Sequence, residues 1–457
     1  MNREKHFHPL AALHLLRKTL LVYLLPLVQV LFDRNWDALR AALRQDLVLL
    51  FFISAVCWAV YYGGRWQVDA EGTVHVSWRL GVRLDRALRA EGLAALMLEQ
   101  PLLYRLAGAC RVVLYPAGQK RTLTLLLSAQ NAQFLADRMM PRRDAVAHTP
   151  RGGEKLAFAV LGANGLSTLA LLALALRQSR PYAPDAQTLA FAHLSHLAAF
   201  AARWLPMGTA WMLVATGWLF CISLARSAAQ VAHYTVWRTA AQLGSRGGWL
   251  SRFEFRVRSS EISYADVRVS PIARLMKRWP VFVVAGSCRP ELPLFVYRSG
   301  QEELFRELLP EFRMPPDTRH DLTHRSAVFF APAGIPFGLC LLLVLASRSV
   351  LPALTGTLLI PTAVFAVFLA GGLMGWLKEG IWLREGRFTL RRQKGVYLHC
   401  ICVFHPDVCL RTFQSPWAAR YQRMTLTLAL PGQVRLKVRS IPVRDAAPCL
   451  NALEQKT

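Results

Sequence analysis

Acidic residues are scarce in this chain: 28 Asp and Glu stand against 55 Lys and Arg in 457 residues, a formal net charge of +27. Charge of either sign is also sparse, at 18% of residues, where ordinary soluble domains carry roughly 25%. With 54% hydrophobic residues and a positive mean hydropathy, this shortage favours a membrane protein. The cation excess points to an anionic partner, either nucleic acid or the anionic face of a bilayer. Long apolar runs decide for the bilayer, so membrane lipids are expected partners and nucleic acid is not. The positive-inside rule accounts for the same excess without a dedicated binding patch.

Catalytic signatures are missing too. No P-loop, HExxH or G-x-S-x-G occurs, which removes phosphate-cradling, zinc-protease and nucleophile-elbow chemistry. The apolar runs hold no Asp, Glu, Lys or Arg at mid-depth, and proton relays and ion-coupled transporters need such groups. The expectation is a protein that is not an enzyme and takes no cofactor. Nine cysteines is an odd number and reads as no disulfide framework, which fits reduced, cytoplasm-facing domains. A polar start and the interruption at Arg17 and Lys18 argue against a cleavable signal peptide.

What is present is an awkward phrase written three times. Gln100-Pro101 leads to Arg105 and then Arg111-Val-Val-Leu; Ser270-Pro271 leads to Arg274 and then Val281-Phe-Val-Val; Ser415-Pro416 leads to Arg420 and then Met424-Thr-Leu-Thr-Leu. Each copy is a polar residue, a proline, an apolar patch holding an arginine, then an extended apolar strand. The prolines recur at intervals of 170 and 145 residues, far beyond the ~20–50-residue periods of solenoids, so the unit repeated is a domain.

A bilayer core of ~30 Å needs about 20 apolar residues as helix. Residues 46–62, 156–176, 204–225, 327–345 and 351–377 qualify. Residues 10–32 either span, with Arg17 and Lys18 snorkelling, or lie at the interface. Six spans would make three hairpins, with cations concentrated on the side of the long connections. The expected fold class is therefore membrane α-helical plus β: three repeats of a transmembrane helix pair, each followed by a small β-barrel or sandwich with a C-terminal helix. The expected boundaries are helix pairs at 1–64, 154–228 and 325–378, and β-rich domains at 65–145, 235–316 and 379–457. Both termini and all three β-rich domains are expected in the cytoplasm of a multi-pass protein of the bacterial cell membrane.

Between the apolar pairs the period changes from 3.6 to 2. Residues 73–79 alternate, and 111–127 read as a hairpin turning at Pro116-Ala-Gly118. Ser128 is placed to cap a short helix over 129–140. Closing helices are expected at 301–310 and 445–453.

The chain resembles the bacterial pleckstrin-homology (PH) domain membrane proteins of the YdbT type. The likeness rests on His6-Phe-His8-Pro9-Leu, on Leu98-Glu-Gln-Pro-Leu-Leu-Tyr-Arg-Leu, on Gln414-Ser-Pro-Trp and on Lys437-Val-Arg-Ser-Ile-Pro. One departure is Arg86-Ala-Leu-Arg-Ala-Glu-Gly-Leu, where the family usually has an isoleucine-proline-x-x-arginine-isoleucine strand. The resemblance implies PH-like domains, carries no catalytic residues, and implies a role in cell-envelope stress and toxin resistance. It also implies a protein partner, a smaller single-PH-domain membrane protein of the same family.

Candidate sites follow. Arg105, Arg274 and Arg420 read either as an interaction surface or as braces within their own domains. Lys120 and Arg121, at a hairpin tip, read as a lipid head-group contact or a solvated turn. Gly371-x-x-x-Gly375 offers a small face for helix packing, within the protomer or in a homo-oligomer. His399, Cys400, Cys402, His405 and Cys409 have the residue types of a zinc site but read as core packing, so no metal is expected. Together these readings point to a scaffold displaying three PH-like domains for protein interaction or lateral assembly. The alternatives are a small-molecule exporter or channel and an anionic-lipid sensor.

Overall fold

The structure is a computed structural model of the chain. It describes residues 5–11, 48, 51–59, 61–69, 71–80, 82–119, 121–142, 146–162, 184–204, 207–290, 292–312, 322–323, 331–350, 352–378, 380–384, 387–394, 397–403, 408–430, 434–444 and 446.

Period-two alternation builds four sheets. The first joins β1 (Lys5–His6), β2 (Gly64–Val68), β3 (Val74–Leu80) and β4 (Val82–Leu88) in that order. The second contains β5 (Leu93–Gln100), β6 (Ala109–Pro116), β7 (Leu123–Ser128), β8 (Val146–His148), β9 (Thr235–Arg238), β10 (Gln242–Gly247) and β11 (Arg252–Arg258), in the order β7-β6-β5-β11-β10-β9-β8. The third contains β12 (Ile262–Val269), β13 (Arg278–Ala285), β14 (Phe295–Arg298), β15 (Leu322–Thr323), β16 (Gly380–Arg384), β17 (Arg387–Lys394) and β18 (Tyr397–Val403), in the order β14-β13-β12-β18-β17-β16-β15. The last is β19 (Cys409–Phe413), β20 (Arg423–Leu430) and β21 (Val434–Pro442). Helices are α1 (Leu102–Leu106), α2 (Ala129–Met139), α3 (Gly152–Gly162), α4 (Pro184–Ala201), α5 (Met207–Val231), α6 (Pro271–Met276), α7 (Glu303–Leu308), α8 (Ala331–Val350), α9 (Pro352–Lys378) and α10 (Pro416–Arg420).

The chain divides into two compact units. One comprises Met1–Leu114, Leu123–Thr235 and Gly244–Arg256; the other comprises Tyr115–Thr122, Val236–Leu243 and Val257–Thr457. In the first unit, Trp66, Val74 and Val76 bury one face of β2–β3 against Leu93, Leu96, Val112, Leu125 and Leu127 of β5–β7. Helix α2 closes this core because Ala132, Leu135, Ala136 and Met139 fall at i, i+3, i+4 and i+7 on one face. Ser128 starts it, accepting a bond from the Asn131 N–H at 3.4 Å. In the second unit, Phe388, Leu390, Ile401 and Val403 pack on Leu426, Leu428, Leu436 and Val438.

The expected membrane architecture is overturned by the helices. Among the described residues, no helix is long and apolar enough to cross a membrane. A span must stay apolar for about 20 residues. Helix α3 has 11 residues. Helix α4 carries Asp185, His193 and His196, and α5 carries Ser223, Arg226, Ser227 and Gln230. Helix α8 holds Pro336 and ends near Ser347-Arg348-Ser349, and α9 holds Pro361 and several threonines. Their hydroxyls bond within the helices: Ser347 Oγ donates to Val344 O at 2.9 Å, and Thr362 Oγ1 to Leu358 O at 2.7 Å. The transmembrane pairs, the multi-pass topology and the bacterial cell-membrane location are corrected accordingly. Most of the expected spans at 10–32 and 156–176 lies outside the described residues, as do most of the closing helix at 445–453 and the turn residue Lys120.

The sheets are not confined within the expected β-rich segments. Strands β12 and β18, expected in different domains, pair antiparallel from Ala265↔Cys402 to Val269↔Leu398. Strand β5 likewise neighbours β11. Sheets run through from one expected domain to the next, which removes edges that would otherwise stand open.

The N-terminal His6-Phe-His8-Pro9 segment is stitched into the first unit. Lys5 and His6 pair with Trp66 and Arg65. Phe7 is buried and stacks on Trp78 with centroids 6.2 Å apart. The His8 N–H donates to Leu126 O at 2.9 Å, and its Nδ1 accepts from the Leu10 N–H at 3.2 Å. Burial lowers the His8 pKa below its ordinary value, opposed by a bond to the Ala107 backbone. With the folded pKa below the unfolded one, the unfolded chain takes the proton first. Stability contributed by neutral His8 is then intact above about pH 6.5 and declines as the pH falls through that value. Between pH 7 and pH 5 the melting temperature of the wild-type chain should fall more steeply than that of His8→Gln. Parallel slopes would refute this role for His8.

Candidate functional site

The thrice-written phrase folds the same way each time, as a short helix followed by a strand. Ser270 Oγ accepts from the Ala273 N–H at 3.0 Å, and Ser415 Oγ from the Ala418 N–H at 3.2 Å; Pro271 and Pro416 take the first helical turn. The first copy differs, with Pro101 itself at the N-cap and no side-chain cap. Each helix then gives way through a residue of positive φ, Gly108, Lys277 or Gln422, which turns the chain into β6, β13 or β20.

These helices bury little. No residue of α1 or α10 is buried, and in α6 only Ala273 is. Leu103 and Leu106 project from α1, Ile272 and Leu275 from α6, and Trp417 from α10, with Phe413 and Tyr421 exposed beside it. Leu106 is 78% exposed, Leu275 85% and Trp417 73%. A single exposed leucine means nothing; large apolar side chains exposed at the same place in three copies form a pattern. No acidic residue occurs in the first turn of any of the three, and each carries an arginine in its last turn.

The three arginines separate here. The Arg105 guanidinium donates to Trp249 O at 3.2 Å and so braces its own unit. Arg274 and Arg420 are exposed, and among the described residues neither side chain has a hydrogen-bond or ionic partner.

Beside Arg105 the first unit opens a cavity of 660 Å³. Its floor is apolar: Leu98 of β5, Cys110 of β6 and Ala132 of α2, all buried. Burial pushes the Cys110 thiol up to about 12, so it is uncharged at neutral pH. Around the rim stand the exposed Arg105, Arg246 and Arg252, with Trp249, itself 64% exposed. The lining carboxylate, Glu254, is already engaged. Its Oε1 accepts from Nε of the buried Arg256 at 2.7 Å and lies 2.6 Å from Nη2 of the same side chain. The rim is left cationic. Arg142 registers the crowding: burial first, then the neighbouring Arg246 cation, lower its pKa below the ordinary arginine value.

Glycines shape this rim. Gly247 and Gly248 make the turn between β10 and β11, and the turn is tied down by bonds from the Gly248 N–H to Ala232 O at 2.8 Å and from the Trp249 N–H to Ala229 O at 2.9 Å. Sequence reasoning missed Arg246, Trp249 and Arg252. The signal available was Arg246-Gly-Gly-Trp-Leu-Ser-Arg252 itself, a double glycine presenting an aromatic residue between two cations.

The remaining candidates do not converge. Arg121 is exposed and its neighbour Lys120 is outside the described residues. Gly371 and Gly375 lie four residues apart on α9. That helix packs on α8 in the same chain, where Ser347 Oγ meets Thr355 Oγ1 at 3.1 Å. Cys400 and Cys402 are buried on one face of β18, and burial raises the Cys402 pKa. His399 Nδ1 bonds Asp266 at 3.0 Å, and Asp266 also accepts from Arg268 Nε at 2.8 Å. Among the described residues no three His, Cys, Asp or Glu side chains are grouped to hold a metal; His405 lies outside them. No family model, curated protein or solved structure matches this chain.

Proposed function

We propose that the chain is a non-enzymatic scaffold that binds a protein partner through the short helices of its three repeated phrases. The observation that carries this reading is the exposure of large apolar side chains, each beside an arginine, at the same position in all three. The partner this chemistry fits has apolar pockets rimmed by acidic groups, complementary to a chain of net charge +27. The resemblance to bacterial PH proteins, whose domains lack catalytic residues, supports the same reading.

Burying a leucine or tryptophan side chain on a partner contributes about 2 kcal/mol, roughly thirtyfold in affinity. Three linked contacts add avidity where geometry permits. The test replaces Leu103 and Leu106, Leu275, and Trp417 by serine, separately and together, in the full chain. Exposed substitutions of this kind change stability by no more than about 0.5 kcal/mol, so the melting temperature should hold. Partner recovered from native extracts should fall with each substitution and vanish with all of them. Unchanged recovery at unchanged melting temperature would sink the reading, and loss of self-association alone would assign the helices to a homo-oligomer.

A further inference from the structure

The cavity in the first unit has a composition that scaffolding does not require. An apolar floor beneath a cationic rim is an arrangement for an amphipathic guest of opposite charge. Its 660 Å³ falls in the range of small-molecule sites, roughly 300–1,000 Å³. The rim cations are all arginines, whose planar forks match oxyanions in paired hydrogen bonds. Two of the three keep bonding capacity to spare. Arg246 uses its Nε on Thr235 Oγ1 at 3.2 Å, and Arg252 has no hydrogen-bond or ionic partner among the described residues. The one carboxylate in the lining is held by Arg256, so nothing in the lining neutralises the rim.

We infer that this cavity binds an apolar organic acid, its aliphatic or aromatic body on the Leu98–Cys110–Ala132 floor and its oxyanion at Arg246 and Arg252. Trp249 stands at the mouth as the wall against which the body packs. The same chemistry occurs in a free organic acid and in the apolar C-terminal residue of a peptide, whose α-carboxylate sits beside its side chain.

Titration calorimetry on the full chain decides it, with octanoate as the probe and octylammonium as the charge-reversed control. Octanoate should bind and octylammonium should not. Arg246→Gln with Arg252→Gln should weaken octanoate at least about tenfold, and the charge-retaining Arg246→Lys with Arg252→Lys should recover much of that loss. Both residues are exposed, so the substituted chains should fold, which an unchanged melting temperature verifies. A pentapeptide ending in leucine, compared as free acid and as amide, identifies the source: binding of the acid alone assigns a peptide terminus, and octanoate binding without peptide binding assigns a free acid. If neither octanoate nor the peptide acid binds the wild-type chain, or if the glutamine variant binds octanoate equally well, the inference is wrong. Neither Arg246 nor Arg252 belongs to a repeated helix, so these variants should leave partner recovery untouched.

Discussion

Replacing Arg256 by alanine should destabilise the first unit by about 3–5 kcal/mol, the range for removing one member of a buried charged network. Arg256 is 1% exposed. Its guanidinium donates to Glu254 Oε1, to Met140 O at 2.6 Å, and pairs with Asp137 Oδ1 at 2.8 Å. The network joins β11 to the C-terminal end of α2, where Met140 is the capping residue. Alanine leaves the Glu254 carboxylate, itself mostly buried, without its cation, and leaves the Met140 carbonyl without this donor. Against a typical domain stability of about 5–15 kcal/mol, that loss is large enough to empty much of the folded population. Urea unfolding should show a lowered midpoint at unchanged slope. The companion experiment is Arg256→Met with Glu254→Gln, which removes both charges and should recover a substantial part of the loss. A single alanine variant within about 1 kcal/mol of wild type would show that the network is dispensable.

Gly248→Ala should cost at least about 3 kcal/mol and dismantle the cavity rim. Gly248 has φ +100°, and a Cβ there would lie 1.9 Å from Ser251 O and 2.8 Å from Ser251 C. Both are backbone atoms, so no side-chain rotation relieves the clash and the turn itself must move. Movement breaks the two bonds to Ala229 and Ala232 and displaces Trp249 O, the acceptor of Arg105. A lowered melting temperature should therefore coincide with new proteolytic cleavage between Arg246 and Arg252. Retention of the wild-type melting temperature would mean that the turn adopts another course without penalty.

Several elements could be read directly from residues. Ser128 before an i, i+3, i+4, i+7 apolar face specifies α2, because the cap and the buried stripe are both local properties. Ser-Pro specifies the starts of α6 and α10 through the cap and the proline of the first turn alone, and the apolar strand read after each is β13 or β20. The apolar runs at 204–225, 327–345 and 351–377 were legible as helices, and α5, α8 and α9 cover most of them. Strand pairing was not legible. Nothing in the periodicity of 262–269 or 397–403 records that β12 pairs with β18, since alternation sets which face a side chain takes and not which neighbour the backbone finds.

The sequence alone determined the cationic balance, the absence of the common catalytic signatures, the thrice-written phrase that ends in an apolar strand and the strands that alternate around it. All are properties of composition or of neighbours within a few residues. Tertiary structure alone decided which of the three arginines braces and which stand clear, because Arg105 meets Trp249 across 144 positions of chain while Arg274 and Arg420 meet no such acceptor among the described residues. It alone buried Arg256: β11 lies between β5 and β10 and is buried on both faces along Phe255-Arg256-Val257. It alone gathered an apolar floor from β5, β6 and α2 under a rim from α1, β10 and β11. Convergence of this kind depends on chain entropy being overcome by burial elsewhere in the fold, and no local pattern in these segments encodes it.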